Sequence, residues 1–477
     1  MSKESTIQTK NTPYDWHSSP EAANLLPGPV DESELIRIPL SRAIFRLAGP
    51  AIGSMLFIMV FGLVDAWWVG KLGAEELAGV SAASFILWAL QSIAMLVETG
   101  VNAMVARFVG AGDYRRAGLV IGQSVFLGSF IALFNSGIGL LVQKATFVKM
   151  GLSGVVLSSA MDYMTIVLYG LITIFLAFGL DAAFRGMGDT KTPLKIIGVG
   201  LTFNMILDPV LIFGLGPFPR MEAAGAALAT VLAHALVVVW SFLLLRRRKV
   251  KMIFRDEKSQ LFNFDLMWRI SKIGAPIAVN GFLFSLSYMI LTRLITDFGP
   301  ESLAALGLGH RIEGMSYYVA VGFSVAAATL VGQHLGANKP DRAEQAVWLN
   351  VLYISIFLIF ISFIFFFFGS TIIRFFVDDP AVVREGALYL KIIAIFEVFL
   401  GFEIVLEGAF GGAGNSLPPM LISAPLTWTR IPLSLVLAYT LGLGSTGIWL
   451  SISLTTALKG LVLAFWFRRG HWKTKKV

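Results

Sequence analysis

Apolar runs long enough to cross a bilayer recur along this 477-residue chain from residue 44 to residue 467. One crossing needs about 20 mostly apolar residues. Spans are expected at roughly 44–69, 77–108, 117–142, 158–184, 193–215, 223–245, 269–296, 303–334, 344–368, 384–409, 419–441 and 447–467. The runs show no period-2 alternation and exceed the length of barrel strands, so they read as helices. With 56% hydrophobic and 14% charged residues and a mean hydropathy of +0.75, the excess apolar surface has to face lipid. That excludes a soluble enzyme, a secreted disulfide scaffold and a nucleic-acid-binding domain. The chain has no cysteine, so disulfides, iron–sulfur clusters and thiolate zinc sites are excluded too. Residues 1–40 are polar, with Glu21, Asp31, Glu32 and Glu34 and no apolar stretch before a cleavage site. They read as a cytoplasmic tail.

Basic residues set the expected orientation. One set of loops carries Arg115 and Arg116; Arg185, Lys191 and Lys195; the run from Arg246 through Lys249 with Lys251; and Lys339 and Arg342. The C-terminal segment adds Arg468, Arg469, Lys473, Lys475 and Lys476, whereas the opposite loops hold little beyond Lys71, Lys144, Lys149, Arg220 and Arg374. The positive-inside rule then places both termini in the cytoplasm, with the protein in the cell (inner) membrane. Trp67, Trp68 and Trp472 are expected in interfacial belts.

The chain also repeats itself at a shift of 226. Pro50 meets Pro276, and Gly73-Ala-Glu75 with Leu77-Ala78 meets Gly299-Pro-Glu301 with Leu303-Ala304. Gly110-Ala111 meets Gly336-Ala337, Tyr163 meets Tyr389, and Gly186-Met-Gly188-Asp189-Thr190 meets Gly412-Ala-Gly414-Asn415-Ser416. The register holds without a gap from about residue 50 to 209. Six spans per repeat return the chain to its starting side, so the halves are parallel repeats about an axis along the membrane normal. The expected fold is an all-α membrane protein of twelve transmembrane helices in two six-helix lobes. The boundaries read as a tail over 1–40, an N-lobe over 41–245, a linker over 246–267, a C-lobe over 268–467 and a tail over 468–477. Two lobes around a cleft suit a transporter that rocks between two openings.

Several stretches resemble the multidrug and toxic compound extrusion (MATE) family. They are Arg185-Gly-Met-Gly-Asp-Thr-Lys-Thr-Pro193, Asn204-Met-Ile-Leu-Asp208-Pro209, Val331-Gly-Gln-His-Leu-Gly336-Ala337, Gly309-His-Arg-Ile-Glu313 and Val64-Asp65. The resemblance covers residues 40 to 467. It implies a two-lobe exporter, not an enzyme, that expels amphipathic, often cationic, organic compounds in exchange for sodium ions or protons. No other cofactor is expected. The partners are small organic substrates and membrane lipid, with no nucleic acid, and the chain is expected to be a monomer. The alternative within the superfamily is a lipid-linked oligosaccharide flippase.

Ionisable residues inside spans are costly and mark candidate sites. Asp65 and the four-apart pair Asn204 and Asp208 lie at one depth and can share a proton or ligate sodium through oxygen. The resemblance implies the same three positions, plus Asp181 at a position that is often Asn. In the C-lobe, Glu403, Glu407 and Arg430 are expected to line the substrate cleft, or the glutamates to pair with Arg430. The repeat sets Leu291, Arg430 and Ser434 against Asp65, Asn204 and Asp208, so coupling is assigned to the N-lobe. His234 and His334 read as structural histidines.

Overall fold

The computed structural model describes residues 34–246, 250, 252–254, 261–475 and 477. Most of the N-terminal tail and the basic residues Arg247, Arg248, Lys249, Lys251 and Lys476 lie outside the described residues. Twelve long helices carry the described chain: α1 (Leu40–Gly70), α2 (Ala74–Gly110), α3 (Tyr114–Lys149), α4 (Gly154–Gly186), α5 (Lys191–Phe213), α6 (Glu222–Leu245), α7 (Phe264–Ile295), α8 (Pro300–Gly336), α9 (Pro340–Phe376), α10 (Pro380–Gly412), α11 (Leu417–Leu435, continued by a π turn over Val436–Thr440) and α12 (Ser445–Arg468). Eleven hold a stretch long and apolar enough to cross a membrane. The exception, α10, is interrupted by Glu397, Glu403 and Glu407 and packs against α8, α9 and α12 inside its lobe.

Two helices outrun the apolar runs that announced them. Helix α3 continues past Val142 to Lys149, because Gln143 bonds Thr165 at 3.1 Å and Phe147 is fully buried. Helix α9 continues past Phe368 to Phe376, because Gly369 packs against Leu390 and Ala387 and a side chain there would only touch them. Local chemistry starts the helices. Asp113, Asn263 and Asp379 accept backbone N–H groups in the first turns of α3, α7 and α10. Pro340 and Pro380 stand at first-turn positions that lack an intrahelical partner.

The two repeats pack alike. Within each lobe the fourth and second helices, the fourth and sixth, and the fifth and sixth are in contact. The turn after the fourth helix is tied down the same way twice: Thr190 donates to the Leu47 carbonyl (2.9 Å), and Ser416 donates to the Ile273 carbonyl. Those pairs are separated by 226 residues on both sides of the bond.

The lobes meet through α1–α8, α2–α7 and α2–α8. The closest approach is isologous. Gly110 of α2 lies against the backbone carbonyl of Gln333 in α8, and its repeat mate Gly336 lies against the carbonyl of Arg107, the mate of Gln333. Any Cβ at either position would overlap that oxygen. Gly274 against Leu96 and Gly322 against Ile52 continue the seam. Thr329 donates to the Arg185 carbonyl (3.1 Å) and Gln333 to the Gly186 carbonyl (2.9 Å) across it. These contacts lie in the half of the molecule nearest the termini. In the other half Gly62 of α1 and Gly307 and Gly314 of α8 meet nothing within 4 Å, which leaves the crevice open on the side opposite the termini.

The terminal side is also strapped. Leu35 is buried against Gly188, and Arg342 of α9 donates to the Ile38 carbonyl (2.7 Å). After α12, Trp472 is fully buried and stacks on Phe467 with centroids 4.5 Å apart. This corrects the belt assignment for Trp472: the chain folds back, so its indole packs into the helix ends. Trp67 is 55% exposed with the Lys71 ammonium over its ring at 3.7 Å, a contact compatible with an interface. Arg107 of the N-lobe donates to the Lys475 carbonyl (2.8 Å). Lys473 pairs with Asp341 (2.9 Å) and Glu344 (2.7 Å), which hold its ammonium above the usual lysine range. The linker docks on α3, where Gln123 donates to the carbonyls of Phe254 (3.2 Å) and Leu261 (3.1 Å).

The glycine seam gives a direct test. Gly110→Ala should push the lobes apart on the terminal side. Because the chain has no native cysteine, a single Thr329→Cys reporter can be read cleanly. Its maleimide labelling in membranes should be several-fold faster with Gly110→Ala than without; an equal rate would show that this contact does not hold the seam.

Candidate functional site

Asp65, on α1, and Asn204 and Asp208, on α5, converge in the N-lobe on the side of the cleft mouth. Helix α5 presents Asn204 and Asp208 on one face because they are four residues apart, and both are fully buried. With its amide oriented to satisfy its neighbours, Asn204 donates to Asp208 Oδ2 (3.0 Å) and accepts from the Thr230 backbone N–H of α6 (3.0 Å). Asp65 lies within Coulombic reach of Asp208, and Tyr163 of α4 is close to both. The Oδ1 atoms of Asp65 and Asp208 are both buried without a hydrogen-bond partner among the described residues. Neither carboxylate forms an ion pair there. Two near-buried carboxylates with free oxygens and an amide beside them form a site for a proton or a hard cation held through oxygen.

Asp181 does not join them, which corrects its placement in the same cavity. It lies eighteen residues along α4 from Tyr163, about 27 Å at the helical rise, and its carboxylate pairs with Arg185. Arg185 also holds Glu98 of α2 at 2.8 Å. This cluster sits near the terminal side of the N-lobe, where one guanidinium is shared by two carboxylates.

The C-lobe acids inside α8 and α10, Glu313, Glu397, Glu403 and Glu407, all have protein partners. Glu403 pairs with Lys459 of α12, leaving its Oε2 without one. Glu407 accepts from Ser423 (2.6 Å) and Asn280 (3.4 Å). Glu397 accepts from Ser316, and Glu313 from Tyr389 (2.8 Å), with His310 at 3.2 Å. Arg430 does not pair with Glu403 or Glu407, contrary to expectation. It donates to Thr455 and Thr456 (2.8 Å each) and to Tyr288 (3.3 Å), and its guanidinium lies 5.6 Å from the Tyr288 ring centroid. Lys459 of α12 takes the Glu403 carboxylate instead. The C-lobe mates of the N-lobe trio are spent on packing: Leu291 is fully buried, and Ser434 and Ser451 bond each other at 2.5 Å.

His234 and His334 each donate from Nδ1 to the carbonyl four residues back (2.8 Å), as structural histidines do. Sequence reasoning did not assign Tyr163 or Thr230 to the site, nor Lys459 to Glu403. Tyr163 carried a signal, since it aligns with Tyr389 in the repeat and both tyrosines face acids; Thr230 and Lys459 carried none.

The two repeats define a two-lobe membrane transporter, and the comparisons agree. Residues 50–210 and again 276–436 match the MatE family, at the 226 shift. The chain belongs to this family, whose members are transporters and not enzymes. A probable multidrug resistance protein NorM of Thermotoga maritima is 28% identical over 445 residues, covering 92% of this chain and 94% of its own. An FAD transporter of Shewanella oneidensis is 26% identical over 442 residues, covering 92% and 97%. Among solved structures, an outward-facing multidrug resistance MATE transporter superimposes with a TM-score of 0.86 at 21% identity, covering 94% of this chain and all of its own. A transporter from Pyrococcus furiosus described as having a binding pocket of reversed polarity matches with the same score, identity and coverage.

Breaking the buried Glu403–Lys459 ion pair should be costly. Glu403→Gln leaves the Lys459 ammonium uncompensated, a change of about 3–5 kcal/mol in a buried setting. The thermal midpoint in detergent should fall clearly. Glu403→Gln with Lys459→Met should recover most of the loss; no recovery would mean the pair is not the stabilising contact.

Proposed function

We propose that this transporter is an ion-driven exporter of amphipathic, often cationic, organic compounds, and that inward movement of sodium ions or protons through Asp65, Asn204 and Asp208 drives it. The observation that carries the reading is the contrast between lobes: the N-lobe holds two close carboxylates with no counter-charge among the described residues, whereas the C-lobe acids Glu313, Glu397, Glu403 and Glu407 each have a partner. An uncompensated pair is expensive to enclose away from water. A bound cation removes that cost, so occupancy of the N-lobe and the opening of the cleft become linked. Sodium would be held by carboxylate and amide oxygens; a proton would be shared by the carboxylates. The multidrug resistance names of the T. maritima relative and others support the substrate class. The FAD transporter among the relatives puts a phosphate-bearing substrate in the panel to be tested. The working unit is a monomer.

Asp208→Asn keeps the side-chain volume and removes the charge. Export driven by an imposed sodium or proton gradient in vesicles should fall to background while the protein inserts normally; full drug resistance at normal expression would refute the N-lobe site. Asp65→Asn should impair coupled transport more than Glu407→Gln, which should chiefly alter substrate range. Loss of ion-driven efflux in Glu407→Gln with Asp65→Asn unaffected would move coupling to the C-lobe.

The basic loops support an orientation with both termini in the cytoplasm and the protein in the inner membrane, so the cleft faces outward. A reporter fused after Val477 should be active only in the cytoplasm, and activity outside the cell would invert the topology.

A further inference from the structure

The turn between α9 and α10, on the side of the cleft mouth, forms a cavity of about 600 Å³ lined by Ser370, Arg374, Asp378, Arg384 and Ala387 among others. Basic residues are scarce on this side, yet two arginines line one cavity. Neither Arg374 nor Arg384 has an ion-pair partner among the described residues, although Asp378 shares the cavity. Lys391 lies seven residues after Arg384 on the same face of α10, about 10 Å deeper into the bilayer. Its ammonium rests over the Phe366 ring of α9 at 4.9 Å and has no ion-pair partner among the described residues. Below the cavity, on the face of α9 that carries Ser370 and Arg374, Phe363 and Phe367 form an aromatic wall and are both more than half exposed. The repeat mates of Arg374, Arg384 and Lys391 are Val148, Ser158 and Thr165, so the cationic ladder belongs to one lobe only.

We propose that this cavity binds an anionic phospholipid with a hydroxyl-bearing head group, of the phosphatidylglycerol type. Three features select that chemistry. The two guanidiniums suit one phosphodiester through charge-assisted hydrogen bonds. Asp378 and Ser370 suit a head-group hydroxyl, which can donate to the carboxylate; the same carboxylate disfavours a second negative charge. The phenylalanine wall covers acyl chains at the depth where chains begin, and Lys391 can snorkel upward to the glycerol ester level. A free phosphate ion would use the arginines alone and leave the apolar wall and Asp378 without a role. The site lies on the lobe whose α10 carries the buried glutamates, so lipid there clamps the outer ends of α9 and α10 together.

The experiment is lipid retention by native mass spectrometry and the lipid-induced rise in melting temperature of the detergent-purified full chain. Phosphatidylglycerol should be retained and should stabilise, with phosphatidylcholine, phosphatidic acid and inorganic phosphate markedly weaker. Arg374→Gln with Arg384→Gln should weaken phosphatidylglycerol binding about tenfold or more. Lys144→Gln with Lys149→Gln, which removes the same charge from the equivalent N-lobe hairpin, should leave it unchanged. Asp378→Asn should narrow the preference for phosphatidylglycerol over phosphatidic acid. Equal binding by the arginine double variant, an equal loss in the lysine double variant, competition by inorganic phosphate, or equal binding of phosphatidic acid by the unaltered protein would each overturn the proposal. Because the readout is lipid binding, its failure is independent of the coupling reading above.

Discussion

The contact on which the rest of the structure depends is the close approach of α2 and α8 at the pseudo-two-fold axis. Each helix offers a glycine, Gly110 or Gly336, to a carbonyl of the other, so the backbones touch without side chains between them. Small residues at helix crossings give this kind of packing in membranes, where lipid is as apolar as the helix surface and burial alone does not drive association. The seam closes one side of the cleft and fixes the lobes' relative rotation, which in turn leaves the other side open. The straps on that side, from Leu35 against Gly188 and from Arg107 to the Lys475 carbonyl, reinforce the same closure. A contact built from backbone and a few hydrogen bonds can be remade in another geometry more readily than an interdigitated core.

The repeat supplies two equivalent scaffolds, and the side chains make them unequal. Where the N-lobe places Asp65, Asn204 and Asp208, the C-lobe places Leu291, Arg430 and Ser434. The C-lobe has more acids in total, but it answers them internally with Lys459, hydroxyls, Asn280 and His310. Charge count therefore misleads about where a cation would bind; compensation decides. The Asp181–Arg185–Glu98 cluster makes the same point within the N-lobe, since two of its carboxylates share one guanidinium.

The lipid-facing surface is unequal as well. The α9–α10 hairpin gathers Arg374 and Arg384 over a phenylalanine wall, whereas the matching N-lobe hairpin carries Lys144 and Lys149 at other registers. A two-lobe protein that rocks must let its lobes move through lipid, so a lobe-specific lipid contact would bear on the same motion that the glycine seam constrains.

Much was legible in the sequence because membranes impose simple rules. Length and apolarity fix a span, basic residues fix an expected side, and a shift of 226 in glycines, prolines and turn residues fixes the duplication. The Asn204–Asp208 pairing was legible because helical spacing of four determines a shared face. Helix ends beyond Val142 and Phe368 were not, because they are set by burial of Phe147 and by the packing of Gly369 against α10. The fate of the intramembrane charges was legible only in part. Whether Arg430 or Lys459 meets Glu403 depends on residues far apart in the chain, whereas the Asp181–Arg185 pair, four apart on α4, lay within the same spacing rule that joined Asn204 to Asp208. The sequence by itself determined the helices, their duplication and the candidate charges; only the tertiary structure decided which charges are neutralised, because compensation is a property of neighbours in space.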